Sequence, residues 1–113
     1  MKLNGRYIPV RTNKQTVKIL LGEVIFVEKD CRRVVIHTEE ETFSFYGKMS
    51  DIIRFIDGRF LFTHQSYIFN MDQIRMLHTQ TIYMEKGHEV TVGRESFRRI
   101  RKAFDEYLDK SIE

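Results

Sequence analysis

Residues Phe60–Ile74 read FLFTHQSYIFNMDQI, and the fold turns on how that stretch is understood. Its middle is too polar for a plain core strand, and its edges are too apolar for a plain loop. Phe60, Phe62, Ile68, Phe69, Met71 and Ile74 are expected to turn inward. Thr63, His64, Gln65 and Ser66 form a cluster of side chains that both give and accept hydrogen bonds. The stretch reads as a binding segment anchored at both ends by hydrophobic side chains.

Working outward, strands dominate. On the N-terminal side, Gly5–Arg11 and Thr16–Leu21 are short β-branched runs parted by Thr12-Asn13-Lys14, the pattern of an opening hairpin. Glu23–Glu28 (EVIFVE) is a continuous apolar run bounded by charge, as in a buried strand. Lys29-Asp30-Cys31-Arg32 reads as a polar connector. Arg33–Thr38 and Thr42–Tyr46 form the next pair about the acidic turn Glu39-Glu40-Glu41, with Phe43 and Phe45 alternating against Thr42, Ser44 and Tyr46.

After Gly47 the period changes. Met49, Ile52, Ile53 and Ile56 stand at i, i+3, i+4 and i+7, which predicts a helix capped by Ser50 or Ser50-Asp51 and ended by Asp57-Gly58. Beyond the central stretch, Arg75–His78, Thr81–Met84 and His88–Val92 read as strands, the last two joined through Glu85-Lys86-Gly87 with Gly87 at positive φ. Ile82 and Met84 should meet Val90 and Val92. A final helix is predicted from about Arg94 to Lys110, with Phe97, Ile100, Phe104, Tyr107 and Leu108 as its apolar stripe.

A chain of 113 residues with 42% hydrophobic and 31% charged residues has the size and balance of one globular domain. No apolar run approaches the ~20 residues of a spanning helix, so membrane insertion is not expected. The opening MKLNGRYIPV lacks the apolar core of a signal peptide. The single Cys31 cannot form an internal disulfide and fits a reducing cytoplasm. A net charge of +3 permits nucleic acid as a partner without demanding it.

Catalytic constellations are absent from the sequence. His37, His64, His78 and His88 show no HxH or HxxxH spacing, and Cys31 has no CxxC partner, so neither metal nor cofactor is expected. His64 and Ser66 lie only two residues apart, with no G-x-S-x-G elbow, and no phosphate-binding glycine loop occurs. An enzyme is not expected. Basic residues are more suggestive. Lys29, Arg32 and Arg33 cluster in one connector, while Arg94, Arg98, Arg99, Arg101 and Lys102 crowd the first half of the last helix, ahead of Asp105, Glu106 and Asp109. Helix stability favours the opposite order, acids first and bases last. A bound polyanion near the helix start accounts for the inversion, and a solvated charged face is the plainer alternative. The phenylalanines lie in apolar patterns and read as core rather than stacking platforms, with Tyr46, Tyr67 and Tyr83 as candidate exceptions.

The spacing F-x-x-x-H-x-S-Y-I-x-N-x-D-x-I over Phe60–Ile74 resembles the signature of the LytTR family of bacterial DNA-binding domains, in which FxRxHRSxxVNxxxI recurs. The likeness begins with Glu23–Glu28, similar to the family's I-x-Y-I-E piece. It runs through Phe43–Gly47 and Met49–Ile56, and ends at Val92-Gly93-Arg94, similar to a V-S-R step. It spans about residues 16–108 of a single domain covering residues 1–113, leaving residues 1–15 as an N-terminal extension or the first hairpin strand. The resemblance implies a mainly β fold: an elongated arrangement of small antiparallel sheets with one short central helix and a C-terminal helix. It implies sequence-specific binding of double-stranded DNA for transcription regulation, through loops entering successive major grooves. A β-rich module binding RNA or a protein through the same loops is the alternative.

Carried over by position, Arg32, Gln65 and Arg94 are the expected base contacts, Gln65 standing where the family often has arginine or asparagine. Glutamine suits adenine and arginine suits guanine O6 and N7. The first recognition loop falls on Arg32 or Arg33. Phosphate contacts are expected from Arg33, His64, Ser66, Arg98 and Arg101, with packing beneath the loop equally open for His64. Asn70 is expected to be structural. Phe62 replaces the family's common arginine and is expected to be buried. Family habit also implies paired direct repeats, a weak homodimer or a dimer on DNA, and control by a receiver domain or regulatory partner outside these residues.

Overall fold

The central run Val24-Ile25-Phe26-Val27 is apolar at every position, so a strand built from it must be covered on both faces. The structure, a computed structural model describing residues 6–63 and 66–111, satisfies this with a five-stranded sheet between two layers. In chain order the strands are β1 (Tyr7–Arg11), β2 (Thr16–Leu20), β3 (Val24–Asp30), β4 (Arg33–Thr38), β5 (Thr42–Tyr46), β6 (Phe60–Thr63), β7 (Tyr67–Asn70), β8 (Ile74–His78), β9 (Thr81–Met84) and β10 (Glu89–Thr91). Helix α1 (Ser50–Ile53) precedes β6, and α2 (Arg94–Ser111) follows β10. The sheets run β1-β2, β5-β4-β3-β7-β6 and β10-β9-β8, all antiparallel.

A β-bulge in β3 divides its side chains between the layers. Val24 pairs with Thr38 and Phe26 with His37, so Ile25 is the extra residue. Val24 and Val27 then face one cluster with Ile8, Val10, Ile19, Val34, Ile36, Ile52 and Ile68, beneath β1-β2 and α1. Ile25 and Phe26 both face the other, with Phe69, Ile74, Ile82, Met84, Val90, Ile100 and Phe104, beneath the three-stranded sheet and α2. Full burial of one such side chain is worth about 1.5–3 kcal/mol, so losing either layer is costly.

Asn70 takes over on the β7 side of β3. Where the β3–β7 ladder stops at Phe26–Phe69, the Asn70 Nδ2 donates to the Val24 carbonyl at 2.7 Å, while its Oδ1 accepts from the Asp72 amide at 3.0 Å. The side chain is fully buried, and its structural reading is borne out. Nearby, Gln73 Nε2 donates to the Gly22 carbonyl and to Glu39 Oε2, and Thr38 Oγ1 closes the Glu39–Glu41 turn. No buried side-chain nitrogen or oxygen among the described residues lacks a partner.

Several expectations need correction. The predicted Met49–Ile56 helix is only four residues long, because Phe55 and Ile56 leave it through i→i+3 bonds to Ile52 and Ile53 and pack as a turn against the first cluster. Neither Ser50 nor Asp51 caps it through a side-chain bond; Asp51 instead accepts from the amide of Lys48, ahead of the helix, at 3.0 Å. Gly58 is not left-handed. Asp57 instead accepts from Arg59 through its main-chain and guanidinium N–H groups. Phe62 is 43% exposed. It sits near the end of edge strand β6, opposite Ile68, beyond the reach of the covering layer. Leu108 is also exposed. Eight residues from Ile100 on a helix of 3.6 per turn, it is rotated about 80° off the buried stripe, whereas Tyr107 stays aligned.

Replacing Asn70 with alanine should lower stability by about 1–3 kcal/mol, since a buried carbonyl loses its donor. Urea titration reads this as a fall in midpoint with little change in slope. A shift below about 0.5 kcal/mol, the scale of an exposed substitution, would remove the amide from the set that holds the fold.

Candidate nucleic-acid interface

The buried polar ties Thr38, Asn70 and Gln73 gather at one end of the five-stranded sheet. At the other end the chain turns in the open. Strands β3 and β4 run closer to the turn than the predicted four-residue connector allows, leaving only Cys31-Arg32 between Asp30 and Arg33. Cys31 has φ 58°, a conformation that favours glycine. Beside it, β6 and β7 reverse after Thr63 and resume at Ser66–Tyr67. The Ser66 carbonyl accepts from the Lys29 amide at 2.9 Å, which fixes the two reversals side by side.

The third segment is the step Val92-Gly93-Arg94 into α2, and a turn that the sequence did not single out holds it. Between β8 and β9, Thr79 and Gln80 take φ 48° and 65°, the left-handed pair of a two-residue hairpin. Gln80 Nε2 donates to the Val92 carbonyl at 3.0 Å, and the Val92 amide donates to the Gln80 carbonyl at 3.0 Å. This doubled link seats the start of α2. Gly93 and Ser96 then share the walls of an open concavity of about 140 Å³ with Thr63, Ser66 and Tyr67. Gln80 gave no sequence signal, because a glutamine in a turn looks like any solvated residue.

The expected contact residues divide accordingly. Arg32 is exposed in its turn, Ser66 is half-buried, and Arg94 is exposed as the first residue of α2. Arg33 is exposed but engaged: its Nη2 donates to Ser44 Oγ at 2.6 Å, and its guanidinium lies 5.3 Å from the ring centre of Tyr46, itself 76% exposed. Arg98 pairs with Glu95 at 3.1 Å on open surface, an interaction worth little. Arg101 is exposed. Arg94, Arg98 and Arg101 stand at i, i+4 and i+7 along one face of α2, rising about 10 Å from first to last, so only Arg94 adjoins the turns. His64 and Gln65 lie outside the described residues.

Titratable side chains converge on the sheet face under the three-stranded layer. The His37 ring stacks on Phe26 at 4.3 Å, and its Nε2 lies 2.6 Å from Glu28 Oε2. His88 meets Phe26 edge-on at 5.4 Å and His37 at 5.2 Å. Burial, then the neighbouring His37, lower the His88 pKa from its usual 6.5, with Glu28 partly opposing. Burial and Glu28 push the Tyr67 hydroxyl up. Among the described residues no group of three His, Cys, Asp or Glu side chains is placed to hold a metal ion. No helix among them is long and apolar enough to cross a membrane.

A family model described as the LytTr DNA-binding domain matches residues 14–105. Among solved structures, the LytTr DNA-binding domain of a methyl-accepting/DNA response regulator from Bacillus cereus is similar, with a TM-score of 0.73 at 19% identity. That match covers 88% of this chain and 97% of the other. No curated protein matches.

Because the fold disfavours protonated His88, its contribution to stability is present above pH 6.5 and lost as pH falls through the lowered folded value. Asp57 behaves likewise at lower pH: burial tends to raise its carboxyl, but the Arg59 hydrogen bonds prevail, and its share is lost as pH falls below 3.8. The urea midpoint should therefore decline between pH 7 and 5, and His88→Phe should flatten that decline. An identical decline in the variant would uncouple His88 from folding.

Proposed function

The chain belongs to the LytTR family of DNA-binding domains, and on that premise we propose that it binds double-stranded DNA at particular sequences to regulate transcription, its turns entering successive major grooves. The observation that carries this reading is the junction of Ser66 with the start of α2 across one concavity, with the Cys31-Arg32 turn tied alongside through Lys29. Three short segments thereby offer polar and cationic side chains next to one another on a rigid β scaffold.

In this reading Arg32, Gln65 and Arg94 contact bases. Arginine offers a fork to guanine O6 and N7, and glutamine a donor–acceptor pair to adenine. Arg33, His64, Ser66, Arg98 and Arg101 contact phosphates and fix the register. Arg33, braced by Ser44 and Tyr46, loses little freedom on binding. The inverted charge order of α2 gains its purpose here, because Arg94, Arg98 and Arg101 form a cationic stripe where a polyanion can neutralise it. Two copies on direct repeats, weakly associated off DNA, complete the proposal, with the activating signal arriving from a receiver domain or regulatory partner in the cytoplasm.

Selection of bound sequences from random duplex DNA tests the reading and supplies a site. On that site Arg94→Ala and Gln65→Ala should each cost about 1–3 kcal/mol and relax choice at a different base pair. Equal losses on selected and random duplexes would reduce both to phosphate contacts. Arg98→Gln and Arg101→Gln should lower the salt slope by about one each and weaken all duplexes alike, with melting unchanged. Unchanged slopes would leave the stripe a solvated face.

A further inference from the structure

The N-terminal hairpin brings cations to the same end of the sheet by a separate route. Its tip is an ordered turn: Thr12 Oγ1 accepts from the Lys14 and Gln15 amides, both at 3.3 Å, and the Thr12 amide donates to the Gln15 carbonyl at 2.8 Å. Arg11, Thr12, Asn13 and Lys14 form one wall of an open groove of about 540 Å³, facing Arg33, Ser44 and Tyr46 on the other. A second depression of about 250 Å³ shares Arg11, Phe45 and Tyr46 and continues to Arg54. The trough thus runs from Lys14 to Arg54.

Charge in this trough is one-sided. Arg11, Lys14, Arg33 and Arg54 line it, against the single carboxylate of Asp51, which already accepts from the Lys48 amide. Asp30 lies across the ladder from Arg33, and Glu41 lines a separate depression beyond the hairpin on the β5 side. Among the described residues Arg11 and Lys14 have no ion pair, and all four cations are exposed. Arg33 is engaged by Ser44 and Tyr46, and Arg54 lies over the Phe55 ring at 4.9 Å, so among the described residues Arg11 and Lys14 are the trough cations that internal contacts leave open. Arg11 also stands before residues 14–105, outside the part of the chain that the family model matches.

We infer that this trough, lined by Arg11, Lys14, Arg33 and Arg54 beside the open Tyr46 ring, holds the phosphate backbone of duplex DNA flanking the segment that the turns read. The inference rests on the duplex-binding reading above. Its position follows from the strand order β5-β4-β3-β7-β6. The Cys31-Arg32 turn joins β3 and β4, Ser66 lies on the β7 side, and the trough opens on the β5 side. Neighbouring strands are about 4.8 Å apart, so the trough is displaced outward from the turn, away from α2. Backbone contacts there add affinity and register without base choice.

The test compares two duplexes carrying the selected site, one trimmed to it and one extended by a full turn on each side. Arg11→Gln/Lys14→Gln should lower the salt slope by about two on the extended duplex and leave it unchanged on the trimmed one, with base preference and melting retained. Lys18→Gln, a cation of the same hairpin outside the trough and set over Tyr7, should leave both slopes as they are. If the wild type shows its slope and the double variant keeps it on the extended duplex, the trough binds no flanking backbone, while reading by the turns stands. An equal loss of slope in Lys18→Gln would also overturn the trough, reducing it to general positive charge. A wild type that binds no duplex removes the functional reading and the trough together.

Discussion

Burial of β3 on both faces is the constraint from which the rest of the structure follows. A strand with four consecutive apolar residues cannot leave a face to water, and a regular strand would send them alternately to each side. The bulge at Ile25 changes the division, giving Ile25 and Phe26 to one cluster and Val24 and Val27 to the other. The ladder to β7 also ends at Phe26, and a buried carbonyl without a donor costs about as much as the burial of a side chain returns. Asn70 removes that cost. One amide thus joins the middle sheet to the chain that goes on to build the second layer.

The same economy makes the two ends of the sheet unlike. Polar side chains close one end: Asn70 and Gln73 through long-range partners at Val24 and Gly22, and Thr38 within its own turn. The other end is fastened mainly by main-chain bonds, from Lys29 to Ser66 and between Val92 and Gln80. Main-chain fastening leaves side chains free to face a partner. The site is rigid where its backbone is concerned and open where its chemistry is.

The strands outside the central stretch were legible because their signals are local, whereas the β3–β7 pairing that orders the middle sheet was not. Thr42–Tyr46 alternates, Arg33–Thr38 is bounded by charge, and Gly87 takes the positive φ expected of it. What escaped depends on distance along the chain. Four apolar positions at helical spacing predicted two turns of α1, but Phe55 and Ile56 satisfy the core better from a turn. Phe62 reads as core in any strand pattern, and only its place on the edge strand exposes it. In the candidate site, charge and motif spacing nominated Arg32, Arg33, Ser66 and Arg94, and the structure leaves the three arginines exposed and Ser66 half-buried. The hold of Gln80 on Val92 was not, since nothing in a glutamine announces a partner twelve residues away. The hairpin tip facing Arg33 and Tyr46 was equally invisible, because no pattern in residues 11–14 points to residues 33–46.

The three segments do not ride on one body of backbone. The Cys31-Arg32 turn and Ser66 belong to the five-stranded sheet, while Arg94 leaves the three-stranded sheet for α2. Between them lies the cluster of Phe26, Phe69, Ile82, Ile100 and Phe104, whose cohesion has no preferred direction. The gap between these segments is therefore gauged by side-chain volume, as the jaws of a calliper are set by what stands between them. A methylene gained or lost at Phe69 or Ile100 would alter that gap without touching an exposed residue of the candidate site. A lineage can in this way retune the spacing of the three segments from inside the protein.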